Sequence, residues 1–216
     1  MLTYAIGDVH GCLDQLQRLI ERCLDHGGGR PSRFVFVGDY IDRGPDSRGV
    51  IDFLIALQGE RPEVICLRGN HEAIMLEALR TGNGMLWYAN GGASTLDSYH
   101  IDDPAGLPDK HVDWAAALRL WHDDGQRFFV HAGVNPQVPL DAQDERDLLW
   151  IREPFLSSTR DYGRLVVHGH TPLRSGVPDR RPNRLNIDTA CVYGGSLTAA
   201  IFTAEPVQPV DFLSEA

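Results

Sequence analysis

Short apolar runs recur along the first third of the chain, each ending in glycine and polar residues and each followed by an amphipathic stretch. Leu2–Ile6, Phe34–Val37 and Val64–Leu67 are of strand length and carry no charge, as strands buried on both faces do. Leu13, Leu16, Leu19, Ile20 and Cys23 recur at helical spacing, which predicts a helix over Leu13–Leu24 stopped by Gly27-Gly28-Gly29. Further helices are predicted over Ser47–Leu57 and Glu72–Leu79. The resulting βαβαβα order implies right-handed crossovers and largely parallel pairing.

The pattern then changes. Thr81–Gly125 is punctuated by TGNG, NGGAS and DDPAG, and reads as short helices and loops packed over one side of the sheet edge. Its aromatics Trp87, Tyr88, Tyr99, Trp114 and Trp121 are assigned to local core rather than to a substrate platform. Strand signals return at Phe128–Val130, Leu165–Val167, Leu185–Ile187 and Leu197–Phe202 without long helical insertions. A second, mainly antiparallel sheet is predicted from them. Ala204–Ala216 reads as an irregular tail with strand remnants, and the whole of 1–216 as a single α/β domain.

Chemistry concentrates where the apolar runs end. GDVHG (Gly7–Gly11), GDYIDRG (Gly38–Gly44), RGNHE (Arg68–Glu72), HAG (His131–Gly133) and HGHT (His168–Thr171) each follow a predicted strand. Gly-Asp pairs also end strands simply because both residues suit turns. Five such motifs in one chain, however, assemble Asp8, His10, Asp39, Asn70, His131 and His170. Carboxylate, imidazole and amide donors of this kind suit hard or borderline divalent cations. Asp39 sits where one carboxylate could bridge two ions. His71, next to Asn70, should face the same cleft, and Asp42 could hold its ring. Arg43 and Arg68 are candidates for bidentate phosphoryl contacts.

Composition narrows the partners. The net charge of −10 argues against a nucleic-acid binder, though a few arginines in a pocket can still hold an anion. No apolar run approaches the roughly 20 residues of a membrane span, and no signal peptide is recognisable, so a cytoplasmic, membrane-free monomer is expected. Cys12, Cys23, Cys66 and Cys191 form no CxxC pair and are expected to be reduced and structural.

The five motifs, in this order, resemble those of the phosphoprotein phosphatase family of metallophosphoesterases: GDxHG, GDxxDRG, GNHE, an HAG-type segment and a final GH-type segment. GNHE together with DRGPDS looks most like the small bacterial and bacteriophage Ser/Thr protein phosphatases. A sister group that hydrolyses diadenosine tetraphosphate symmetrically carries a GNHD-like third motif. The resemblance implies a sandwich of two mixed sheets flanked by helices, in four layers. It implies two divalent metals, with Mn²⁺ expected and Fe or Zn as alternatives. Asp8 and His10 match ligands of the first metal and Asp39 the bridging carboxylate. Asn70, His131 and His170 match ligands of the second. His71 matches the general acid, Asp42 its partner, and Arg43 a phosphate-binding arginine.

Arg152, in Leu148-Leu149-Trp150-Ile151-Arg152, matches a second phosphate clamp. Arg68 is a third candidate or a brace of its turn, and Asn70 a further phosphate contact. Of the two histidines in HGHT, the family's ligand is the one in Gly-His, which is His170; His168 reads as a support or strand-end residue. The Ser-Ala-Pro-Asn-Tyr segment of eukaryotic members is absent, replaced by Asn186–Gly195, from which Tyr193 could approach the site. The implied activity is dephosphorylation of phosphoserine or phosphothreonine, with phosphotyrosine as an extension, in phosphoproteins or phosphopeptides. It would proceed by direct in-line attack of a hydroxide supplied by the two-metal centre. Symmetrical dinucleoside tetraphosphate hydrolysis is the alternative.

Overall fold

The computed structural model describes residues Met1–Ala216. Two five-stranded sheets stack face to face. The first contains β1 (Leu2–Ile6), β2 (Ser32–Phe36), β3 (Val64–Cys66), β9 (Leu197–Phe202) and β10 (Asp211–Glu215), in the order β10-β9-β1-β2-β3. The second contains β4 (Trp121–Asp123), β5 (Arg127–Val130), β6 (Leu165–His168), β7 (Asp179–Arg180) and β8 (Arg184–Asn186), in the order β4-β5-β6-β8-β7. Strand alternation divides the side chains between layers. Tyr4, Ile6, Phe34 and Phe36 face the helices, while Ala5, Val35 and Val37 face Phe129, Val167 and Leu185 of the other sheet. Helices α1 (Leu13–Gly27), α2 (Ser47–Glu60) and α3 (Asn70–Thr81) cover the first sheet, and α7 (Glu145–Trp150) covers the second through Leu148. The layers therefore run α/β/β/α.

The first sheet follows the predicted parallel order: Ile6 pairs with Phe36, and Phe36 with Cys66. Helix α1 continues three residues past Leu24 and stops at Gly28, which takes the left-handed conformation at φ 56°. The second sheet differs from its prediction. Its centre is parallel, with β5 on β6 and β6 on β8, and only its edge strands β4 and β7 are antiparallel. A crossover needs about a dozen residues but not a long helix. The stretches after β5 and β6 return by turns, 3-10 segments and the six-residue α7.

β9 joins the first sheet, antiparallel to β1. The C-terminal segment is not an irregular tail, because β10 extends that sheet beside β9. Glu215 on this edge accepts from Arg18 Nε at 3.1 Å and from Arg22 Nη1 at 2.5 Å, both on α1. The helical cover holds α4 (Met85–Ala89), α5 (Gly92–Tyr99) and α6 (Asp109–Ala117) and gives way to β4 before Gly125. Of its aromatics, Trp87 and Tyr99 are core and Trp114 packs against it. Tyr88 and Trp121 are 43% and 42% exposed and are not core residues. No helix is long and apolar enough to cross a membrane.

Candidate active site

The predicted donors all leave the carboxyl ends of strands, and the two sheets bring those ends to one edge, where open α/β sheets bind ligands. Asp8 and His10 follow β1, Asp39 follows β2 and His131 follows β5. Asn70 opens α3 just beyond β3, and His170 lies two residues past β6. All six are buried. His10, Asp39, Asp42, Arg43 and His170 adopt left-handed φ values between 45° and 72°, a conformation that costs non-glycine residues energy and collects at functional sites. Glycine is required beside them for space: a Cβ on Gly69 would strike the Asp39 carboxylate, and one on Gly169 the Asp8 carboxylate.

Asp39 is the centre of the arrangement. Its Oδ2 lies 3.5 Å from His10 Nε2 and 3.4 Å from His131 Nε2, while Oδ1 accepts the His71 backbone N–H at 3.0 Å. Backbone carbonyls select the tautomers of two of these histidines. His10 Nδ1 donates to the Ile41 carbonyl at 2.8 Å and His131 Nδ1 to the Val37 carbonyl at 3.0 Å, leaving both Nε2 lone pairs turned inward. His131 Nε2 then faces Asn70 Oδ1 at 2.8 Å, and His170 Nδ1 faces the same oxygen at 2.9 Å. His131 Nε2 and Asn70 Oδ1 are thus two acceptors facing each other, which a cation between them satisfies. The Arg43 guanidinium already donates to His10 Nε2 at 2.7 Å, a cation on that lone pair. Asp8 Oδ1 is buried without any partner, its Oδ2 accepting from His170 N at 3.0 Å. The donors thus fit two divalent metals sharing Asp39. The tightest clusters are His10, Asp39 and His71 on one side and Asp39, His131 and His170 on the other, and Asp8 belongs to neither.

His71 is held for proton transfer. Its Nδ1 is 2.6 Å from Asp42 Oδ2, which leaves Nε2 at 3.9 Å from Asp39 Oδ2, toward the cleft. Asp42 is itself fixed: Trp87 Nε1 donates to both its oxygens at 2.9 and 3.1 Å, and Thr95 Oγ1 donates to Oδ1 at 2.6 Å. Glu72 braces the same loops, accepting from the backbone N–H of Asp39, Tyr40 and Gly69 at 3.1, 2.8 and 2.9 Å. Burial works against protonating His71, but the Asp39 and Asp42 carboxylates outweigh it and hold its pKa above the ordinary imidazole value.

The surface opening is a cleft of about 220 Å³, walled in part by Arg43, Arg152, His71 and Asn70. Arg68 lies elsewhere. Its guanidinium donates to the Ala116 carbonyl at 2.5 Å and stands 3.6 Å from Glu145, so it braces the turn instead of entering the cleft. His168 is fully buried at the end of β6, its ring edge-on to Phe155, and belongs to neither donor cluster. Two cleft residues, Asn90 and Trp150, were not singled out as site residues from sequence, and Trp87, the anchor of Asp42, was read only as local core. Nothing local marks them, because loops distant along the chain bring them in. Tyr193 does reach the cleft, its ring 5.7 Å from the Arg43 guanidinium. Asp188 was also missed. It lies two residues past β8, as Asp8 does after β1, so the signal was present. Burial raises its pKa to about 6. Burial, and then the Asp188 and Asp39 charges, likewise push Asp8 well above the usual carboxylate range.

Burial lowers His10, His168 and His170 from 6.5 to about 3. Between these values the unfolded chain binds protons that the folded chain refuses, so stability rises with pH and is lost as pH falls through this window. The metal-free protein should lose up to about 1.4 kcal/mol per pH unit for each such histidine. Asp188 and Asp8, whose pKa values burial raises, act in the opposite sense, so one histidine's share is read as a difference. His168→Asn should weaken the dependence of melting temperature on pH between 7 and 5, followed by circular dichroism in chelator, and an unchanged slope would contradict a buried neutral imidazole at His168.

A model of the calcineurin-like phosphoesterase family matches residues 1–205. The chain is 32% identical over 213 residues to a serine/threonine-protein phosphatase 1 of Salmonella typhimurium, covering 92% of this chain and 90% of that one. It is 28% identical over 277 residues to a symmetrical bis(5'-nucleosyl)-tetraphosphatase of Dechloromonas aromatica, covering 98% and 96%. In structure it resembles a metallophosphoesterase from Sphaerobacter thermophilus at TM-score 0.62 and 18% identity, over 100% of this chain and 89% of that one. With the family model spanning nearly the whole chain, the protein belongs to the calcineurin-like phosphoesterases and is a metal-dependent phosphoester hydrolase.

Proposed function

We propose that the protein is a phosphomonoesterase acting on phosphoserine and phosphothreonine in proteins. The observation that carries this reading is the buried Asp42–His71 pair, at 2.6 Å, whose His71 belongs to a donor cluster and also lines the open cleft. Two divalent metals, Mn²⁺ in this proposal, would be held by Asp8, His10 and Asp39 and by Asp39, Asn70, His131 and His170. They would supply Lewis acidity and an activated water. Arg43 and Arg152 orient the phosphoryl group and spread its developing charge. His71 Nε2, its ring fixed by Asp42, gives its proton to the leaving oxygen. The near full-length similarity to a serine/threonine-protein phosphatase supports a protein substrate.

The equally full-length similarity to a symmetrical tetraphosphatase favours a second reading, hydrolysis of dinucleoside tetraphosphates. With Mn²⁺, phosphate release from phosphoserine, phosphothreonine and phosphotyrosine peptides should be compared with ADP formation from diadenosine tetraphosphate. The first reading expects kcat/KM for a serine or threonine phosphopeptide to exceed that for the dinucleotide by at least about tenfold, roughly 1.4 kcal/mol of transition-state binding. The reverse order would replace it with the second.

A further inference from the structure

A second cavity, of about 670 Å³, opens beside the phosphoryl cleft and shares Pro172 and Tyr193 with it. One wall is the loop Pro172–Gly176 that follows His170; the other is Thr189–Gly195, between β8 and β9. The two walls are tied at their base. Leu173 N–H donates to the Asp188 carbonyl at 2.9 Å, and Asn186 Nδ2 donates to the Thr171 carbonyl at 2.8 Å. The second loop is also held internally. Ala190 sits at φ 61°, an unfavourable value for a residue with a Cβ, and its N–H donates to Asp188 Oδ1 at 3.1 Å. A Cβ on Gly195 would collide with the Thr189 carbonyl, so the turn is determined down to its glycine. The cavity is therefore preformed.

Its electrostatics set it apart from the rest of the chain. In a protein of net charge −10, none of its ten lining residues is acidic. Arg174 lines it and makes no ion pair or side-chain hydrogen bond. Its neighbours along the chain are all engaged: Arg181 and Arg184 with Asp179 at 2.8 Å each, and Arg180 with Gln208 at 3.0 Å. Arg43, Arg152 and Arg174 thus lie along one continuous opening, with Tyr193 between its two halves. Arg43 and Arg152 line the cleft where the donors meet, whereas Arg174 lines only the adjoining cavity. An isolated arginine in a preformed pocket without carboxylates is suited to an anion.

We propose that this cavity is a subsite for a second anionic group on the same substrate, with Arg174 as its specificity-determining residue. It rests on the cleft being the phosphoester site. The second anion is either an acidic side chain beside the phosphoresidue or a further phosphate of an oligophosphate chain. Wild type, Arg174→Ala and Arg174→Lys are to be compared on p-nitrophenyl phosphate, a neutral phosphoserine peptide, the same peptide with glutamates flanking the phosphoserine, and diadenosine tetraphosphate. Arg174→Ala should raise KM by about tenfold for a substrate with a second anion, the usual scale for losing one charged contact. Arg174→Lys should recover part of that, and p-nitrophenyl phosphate should keep both kcat and KM. An effect confined to the glutamate peptide identifies the side chain as the second anion, and one confined to the dinucleotide identifies the phosphate. Unchanged KM on both, or an equal rise on all four substrates, overturns the subsite. If no peptide is turned over, the protein-phosphatase reading fails while the dinucleotide arm still reads the subsite.

Discussion

Asp39→Asn should reduce the bound metal from two ions per chain to at most one and lower turnover of p-nitrophenyl phosphate by about 10³-fold or more. The substitution is nearly isosteric and separates charge from shape. Asp39 Oδ1, which accepts the His71 backbone N–H at 3.0 Å, is preserved as an amide oxygen. What is lost is the negative charge of Oδ2, which stands within 3.5 Å of the inward nitrogens of both His10 and His131. Burial opposes that charge, but the imidazoles of His131, His71, His10 and His170 outweigh it, so Asp39 stays ionised well below neutral pH. Asp39 is the one member common to both clusters. The measurement is elemental analysis after equilibration with Mn²⁺, alongside the rate. Two ions bound with unaltered affinity would remove Asp39 from the bridging position.

His71→Asn should leave metal content intact and cost about 10²–10⁴ in turnover of phenyl phosphate, the range for a lost general acid. p-Nitrophenyl phosphate, whose leaving group needs little protonation, should suffer much less. The geometry underlies the difference: Asp42 and Trp87 fix the ring, and Nε2 is left facing the cleft. Because the Asp39 and Asp42 carboxylates hold the His71 proton above the ordinary imidazole range, wild-type activity should decline on the alkaline side as that proton is lost. The alkaline limb should vanish in the variant. Wild-type rates on phenyl phosphate would sink the acid assignment. Loss of metal along with activity would move His71 among the ligands, as its closeness to His10 and Asp39 allows.

Much of this site was legible because its information is local. Each donor sits within a few residues of a buried strand, and Gly-Asp, Gly-Asn and Gly-His turns carry both the backbone need and the chemistry. Asp188 obeyed the same rule and was passed over. The second sheet misled for a different reason. Missing helices between Phe128 and Leu197 suggested hairpins, yet loops and the short α7 carry the chain across to parallel partners. Pairing direction depends on where the chain returns, which apolar periodicity does not encode.

The sequence by itself determined the parallel βαβαβα part of the first sheet, the helices over it and the pool of donors, because apolar period and turn chemistry act over a handful of residues. Only the tertiary structure decided which residues meet. It sent Arg68 to the Ala116 carbonyl and placed Trp87 on Asp42 across 45 residues of chain. It also opened a second cavity at Tyr193. These contacts join segments far apart in sequence. Their energies come from burial, lone-pair direction and the space left by glycine, which exist only once both sheets are packed.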